Sequence, residues 1–358
     1  MVRDARRGAD PDALPPLMDE ELRRALDPGD PGRPTRLPPG SWRLAVRRAW
    51  HGFVRHRGVD AAAALTFFTA VAAFPAALAV ASAFALASDR ERAVEDLVAI
   101  ARTLLPDDVA ESLAAPVGQL LRLENAGVAL AIALVLLVWT VSGYATAFGR
   151  AVNAVYEVQE GRPFWAFRAR MLLVAAALVV LATIAAATLL STPTAVDDIL
   201  GERGIAPAVT TVWAVLRWPV LLAVLVLAVA LLYTLTPNVR HQRTIWASVG
   251  SVFAIAVWAV ATGGYALYVS LVGAYGAIYG SIGTLLVALL WGYLGNLALV
   301  AGAELDAEFV RLRQLARGID AAELVRLPVR DTRRNHWIAS RHDADVAEAR
   351  RIRERTDE

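Results

Sequence analysis

Neither cysteine nor lysine occurs in the 358 residues, so all 36 positions counted as lysine or arginine are arginine. The absence of cysteine excludes disulfides, thiolate-bound metal and a thiol nucleophile. Charge is absent over long stretches as well, and from Ile278 to Ala303 there is none. What remains is strongly apolar: 57% hydrophobic residues, with a mean hydropathy of +0.46. A soluble chain of this length would hold two or three domains, but this composition points to a membrane protein. The formal net charge of +2 is small, yet it hides a marked asymmetry along the chain.

Familiar catalytic patterns are missing too. The five histidines, His51, His56, His241, His336 and His342, fall in polar or interfacial segments, none at the spacing of a zinc-binding helix. No Gly-Lys-Ser/Thr phosphate loop and no Gly-x-Ser-x-Gly elbow is found, so ATP hydrolysis by this chain is not expected. A metal-dependent nuclease needs converging carboxylates or histidines, and the apolar region offers no such cluster. We therefore expect no catalytic residue, no cofactor, no metal site and no nucleic-acid partner.

Three regions follow from composition. Residues 1–40 are rich in Pro, Arg, Asp and Gly without apolar periodicity, and are expected to be a disordered tail. No apolar run follows their basic start, so a signal peptide is not expected. Residues 41–310 form the membrane domain, and residues 311–358 a second charged tail. The domain opens with an amphipathic helix over 41–57. Trp42, Val46, Ala49, Trp50 and Phe53 share one face, and Arg43, Arg47, Arg48, Arg55 and Arg57 surround it. Such a helix lies in the membrane interface and favours anionic lipid.

Apolar spans follow at 61–87, 126–148, 171–190, 209–235, 245–272 and 278–303, each long enough for a hydrocarbon core that needs roughly 20 residues. The loop between the first two contains a further short amphipathic stretch at Val94–Leu105. The expected fold is all-α: a polytopic membrane protein with six transmembrane helices plus short interfacial ones. Arginines flank alternate loops: Arg43 to Arg57, then Arg150, Arg162, Arg168 and Arg170, then Arg240 and Arg243, then Arg311, Arg313 and Arg317. The positive-inside bias therefore puts both termini in the cytoplasm.

The last span carries the most informative pattern. Ala288, Gly292, Gly295, Asn296, Leu299 and Ala303 recur on one helical face, which is therefore small. Small faces let helix backbones approach closely in lipid, so we expect Gly292 and Gly295 to pack against neighbours. Pro75 interrupts the first span and is tolerated where neighbours satisfy the freed carbonyl. Intramembrane polar groups are functional candidates by default. Asn296 either lines a pathway or bonds a neighbouring helix. Glu304, two turns on, is either a gate or a carboxylate facing water. Arg217, between Trp213 and Trp218, either snorkels to the interface or faces a cavity as an anion-binding side chain. Tyr265, Tyr268, Tyr275 and Tyr279 read as an aromatic belt.

Several motifs in one order resemble a known family. They are GAYGAIYGSIGTLLVALLWGYL followed by Gly302-Ala303-Glu304, LLYTLTPNVR at Leu231–Arg240, AVNAVYEVQEGRPFW at Ala151–Trp165, and the helix around Phe74-Pro75. Across about residues 42 to 310 the chain resembles the YihY/virulence factor BrkB family of bacterial inner-membrane proteins, whose members once carried the label ribonuclease BN. The resemblance implies a multi-pass protein of the bacterial inner membrane and draws attention to Gly302 beside Glu304. Arg150, Asn153 and Tyr156 match its motif after the second span, where they either receive a lipid phosphate or cap a helix end. The function expected is transport or leaflet-to-leaflet movement of an anionic or amphipathic substrate, with membrane lipids as partners. The alternative is a scaffold in envelope assembly, and the ribonuclease reading comes last. Oligomeric state is left open.

The topology is directly testable. Reporter fusions at Asp107 and Asp198 should report outside, and those at Glu160, Arg240 and the C-terminus inside. One inverted loop would break the six-span arrangement.

Overall fold

The computed structural model describes residues 40–87, 95, 97–99, 111, 125–191, 207–240, 248–271 and 275–356, and their side chains except at 87, 207–209, 268–271, 275–285 and 355–356. The tail over 1–39, most of the stretch Val94–Leu105, and the side chains of Tyr268, Tyr275 and Tyr279 lie outside these residues.

Eight long helices carry the described chain: α1 Ser41–Arg55, α2 Gly58–Ala87, α3 Ala126–Val155, α4 Phe164–Leu190, α5 Pro207–Leu235, α6 Val249–Leu271, α7 Tyr275–Ala316 and α8 Arg333–Thr356. Helices α2 to α7 are the six long and apolar enough to cross a membrane. In hydrocarbon every backbone polar group must be satisfied within its own segment, which is why long apolar runs fold as helices there. Their outer surfaces stay apolar, with Phe74 79%, Val260 77% and Leu173 72% exposed. Patches of that size are not kept against water and mark a lipid-facing surface. The chain is thus an all-α, multi-pass membrane protein. Pro75 and Pro219 lie inside α2 and α5, each of which continues past its proline.

Helix α7 is the hub, packing against α1, α2, α3 and α6, while α3 packs against α2, α4 and α5. Leu65, Phe148, Val152, Val229, Leu232, Tyr233, Val300 and Ala303 form the common core. The basal end of the bundle is the one that carries α1 and the start of α8. There α1 turns its small residues, Ala45, Ala49 and Gly52, toward α7 and packs on Leu305 and Leu312. Trp42 and Trp50 stay 59% and 66% exposed, as an interfacial helix requires.

Three glycines of α7 differ in role. A Cβ at Gly302 would stand 2.5 Å from Gly250 O, 2.6 Å from Tyr233 Oη and 2.9 Å from Ala254 Cβ, so α6 and α7 meet backbone to backbone there. A Cβ at Gly295 would press on Trp258 Cδ1 at 2.8 Å. One at Gly292 would meet nothing within 4 Å, so the close contact expected there lies two to three turns further along the helix.

The boundary expected at residue 310 falls inside α7, and the chain beyond it is not a free tail. Arg311 and Gln314 are buried. Arg311 Nη1 donates to the carbonyls of Ala321 (2.8 Å) and Glu323 (3.0 Å), and Gln314 exchanges two hydrogen bonds with the Arg326 backbone. The chain then runs back under the bundle, where Val239 and Val329 form an antiparallel bridge. Helix α8, in contrast, is largely exposed.

Gly302→Val should therefore lower the stability of the purified protein by about 1–3 kcal/mol through overpacking, whereas Gly292→Ala should melt like the wild type. Thermal unfolding in detergent checks both.

Candidate functional site

The polar side chains of α7 are buried at its basal half. Glu304 is 3% exposed, and its Oε1 accepts a 2.7 Å hydrogen bond from His56 Nδ1. Space for the carboxylate comes from Gly52 on α1, where a Cβ would lie 2.5 Å from Glu304 Oε2. Arg55 Nε donates to His56 Nε2 at 3.3 Å, which leaves the imidazole proton on Nδ1, facing Glu304. Arg55 Nη2 also donates to Glu157 Oε1 at 2.6 Å. Arg57 and Glu157, on either side of this pair, have φ of 57° and 53°, a left-handed conformation that costs a non-glycine residue energy. Two residues past Glu304, Asp306 caps α6. It accepts from Gly250 N at 2.7 Å and from the Ser248 hydroxyl, at a helix N-terminus that favours negative charge.

Asn296 ties three helices together. Its Oδ1 accepts from Tyr144 Oη on α3 at 2.9 Å, and its Nδ2 donates to Thr66 Oγ1 on α2 at 3.0 Å. The nearby Tyr233 Oη donates to Leu299 O at 2.6 Å. Of the two readings open for Asn296, the geometry has it bonding neighbouring helices.

The third group surrounds the buried turn Thr236-Pro237-Asn238-Val239 after α5. Asn153 Oδ1 accepts from Asn238 N at 2.7 Å, and Asn238 Nδ2 donates to Gln159 O and Asp331 O. Asn153 Nδ2 donates to Glu160 Oε2 at 3.1 Å. Arg162 grips Glu160 through Nε and Nη2, both at 2.6 Å, and reaches Thr236 O with Nη2 at 2.6 Å. Tyr156 is buried in the common core. Burial, with Asp306 and Glu304 nearby, pushes its phenol well above the usual range.

Among the described residues two surface hollows stand out, and neither is lined by Asn296 or Glu304. The first, of about 370 Å³, lies between Arg150, Gln159, Glu160 and Phe167 on one side and Arg334, Asn335 and Ile338 on the other. The second, of about 520 Å³, is enclosed by Phe67, Phe68 and Val71 of α2, Trp139, Thr140 and Gly143 of α3, and Phe164 and Arg168 of α4. Arg168 places its guanidinium 3.8 Å from the Trp139 ring centre. Trp139 lies near the middle of α3, and Arg168 belongs to a helix long and apolar enough to cross a membrane. Arg217 is far from this assembly along its helix, in the early turns of α5 with its guanidinium over Trp218 at 5.0 Å.

The structure thus joins Glu304 to His56, Asn296 to Tyr144 and Thr66, and Asn153 to the turn after α5, sets Arg150 in the hollow beside Gln159 and Glu160, and leaves Arg217 elsewhere. Sequence reasoning missed His56, Tyr144, Thr66 and Arg168. Among the described residues no group of three His, Cys, Asp or Glu side chains is placed to hold a metal ion.

Comparison with known proteins bears on this arrangement. The family model described as Virulence factor BrkB matches residues 49–324, a range that takes in the turn held by Arg311. The ribonuclease-like protein YfkH of Bacillus subtilis (strain 168) is 26% identical over 275 residues, 75% of this chain and 96% of that protein. A UPF0761 membrane protein of Methylibium petroleiphilum is 30% identical over 253 residues, 69% of this chain and 57% of that protein. Another, from Aeromonas salmonicida, is 37% identical over 82 residues, 23% of this chain and 28% of that protein. No solved structure matches.

Asn296→Leu should insert normally and cost about 1 kcal/mol, the sum of two interhelical hydrogen bonds of about 0.6 kcal/mol each. His56→Ala strands the Glu304 carboxylate and should cost more, about 3 kcal/mol. Equal melting of the two variants in detergent would contradict this ranking.

Proposed function

The chain belongs to the virulence factor BrkB family, and we propose that it moves an anionic, amphipathic substrate such as a phospholipid, from a seat in the bacterial inner membrane with both termini in the cytoplasm. The observation that carries this reading is the hollow between α2, α3 and α4. Its walls are apolar and aromatic, and Phe67, Trp139 and Phe164, 63%, 58% and 62% exposed, place its rim on the lipid-facing surface. One cation, Arg168, stands inside it. An apolar cleft with a single guanidinium complements a molecule with an acyl body and an anionic head. An arginine within a membrane span is costly, and such residues mark substrate paths. Stacking on Trp139 offsets part of that cost by about 2 kcal/mol in a desolvated setting.

Gly143 fits the same reading. A Cβ there would lie 2.7 Å from the Phe68 ring, so the glycine lets α2 and α3 close around the cleft floor. Asn296 and Glu304 then act as fixed points behind the cleft instead of as wall residues. The exposed α8, with Trp337 and Ile338 on its surface, favours a second role as a recruiting scaffold.

Flux of labelled anionic phospholipid across vesicles holding the purified protein tests the proposal. Wild type should accelerate flux over empty vesicles. Arg168→Gln should lower it roughly tenfold, the worth of one charge-assisted contact. Equal flux in empty and loaded vesicles would overturn the transport reading and favour the scaffold.

A further inference from the structure

An arginine has five N–H donors and no acceptor, so a buried one needs partners for each. At the basal end this accounting does not close. Arg162 is 4% exposed, and its Nε and Nη2 are taken by Glu160 and Thr236, yet its Nη1 is buried with no partner. Its guanidinium lies over the Phe167 ring at 4.9 Å, which closes off one face. Two turns along α4, Arg170 Nη1 is also buried and without a partner. Arg330 approaches from the returning C-terminal segment, its Nε on Val239 O at 2.8 Å and its Nη2 on Thr234 O at 2.6 Å. Arg240 joins from the turn after α5, its backbone N–H on Pro328 O.

The charges do not balance either. Burial comes first, and then the guanidiniums of Arg170, Arg162 and Arg240, in pulling Arg330 down to about 10. Among the described residues, the carboxylate bonded within this group is Glu160, beside the carbonyl end of α5, worth roughly half a charge, while the nearby Asp331 pairs with Arg333. Capping that helix end accounts for Arg162 Nη2 and Arg330 Nη2. It leaves both Nη1 atoms unused.

We propose that the start of α4 and the segment around Arg330 form a binding site for a phosphate-type dianion, received by the free Nη1 atoms of Arg162 and Arg170. Phosphate oxygens pair with guanidinium groups through strong charge-assisted hydrogen bonds. A dianion would also bring the local charge close to balance. The site is separate from the cleft at Arg168 and does not depend on transport. Its ligand is either a free phosphate or phosphate ester, or the head of a lipid such as phosphatidic acid, since α4 enters the membrane at this level.

Both sources can be tested on the full chain. In the first arm, protein in neutral detergent is titrated with inorganic phosphate against chloride at equal ionic strength, and thermal unfolding is followed. In the second, protein in nanodiscs of phosphatidylcholine with or without phosphatidic acid is examined for retained lipid by native mass spectrometry. Stabilisation by phosphate over chloride identifies a free-phosphate site, and selective retention of phosphatidic acid identifies a headgroup site. Arg170→Gln should weaken the positive arm at least tenfold, and Arg170→Lys should keep most of it. Arg162 is left intact because it also holds Glu160 and Thr236. If wild type responds in neither arm, or Arg170→Gln binds as wild type does, the proposal is overturned. The wild-type titrations decide the matter even if the glutamine variant fails to fold.

Discussion

The buried turn Thr236-Pro237-Asn238-Val239 imposes the constraint on which the basal end depends. A helix ending inside a membrane protein leaves carbonyls bare, and water is not there to take them. Proline deepens the difficulty by removing a donor. The solution draws on every neighbour: Asn153 from α3, Arg162 and the Gln159 carbonyl from the loop before α4, and Arg330 with Asp331 from the returning chain. None of these partners could be removed without exposing a buried polar group, which typically costs about 1–3 kcal/mol. The basal end is therefore one connected polar body beneath an otherwise apolar bundle.

Much of the architecture was legible because membrane helices announce themselves through uninterrupted apolar length. The six spans and the amphipathic helix with its tryptophans outward follow from hydropathy and spacing. The pairings were not legible. Nothing in the spacing of Thr66, Tyr144 and Asn296 says that they meet, because each lies alone on a different helix. His56 read as part of a basic interfacial run, since the room made for Glu304 depends on Gly52 one turn earlier. Arg168 counted toward a positive-inside loop, yet it lies within α4 and its guanidinium packs on the Trp139 ring. The segment after residue 310 looked like a tail because its buried arginines bond to backbone carbonyls, which leave no trace in a pattern of side chains.

A division of labour emerges among the polar groups. Asn296 and Asn153 each have partners on two elements, and Asp306 ties α7 to the start of α6, so all three fix the helices in place. Arg162 and Arg170 differ, because part of each guanidinium is buried with nothing to hold. In a low-dielectric setting a fully satisfied network stiffens the fold, while an unsatisfied donor raises its energy. Rigid and unsatisfied groups stand side by side at the basal end, a combination suited to a preformed site on a firm support.

The bridge between Val239 and Val329 also bears on how the protein is made. Residues 234–239 leave the ribosome about ninety residues before their partners around Arg330 do, so the underside of the bundle stays open while α6 and α7 are inserted. At about 5–20 residues per second that interval lasts several seconds. Closure of the membrane domain thus waits for the segment around Arg330. A prematurely ended chain would insert its spans yet keep the carbonyls of Thr234 and Val239 bare, a ready signal by which quality control could tell it from the finished protein.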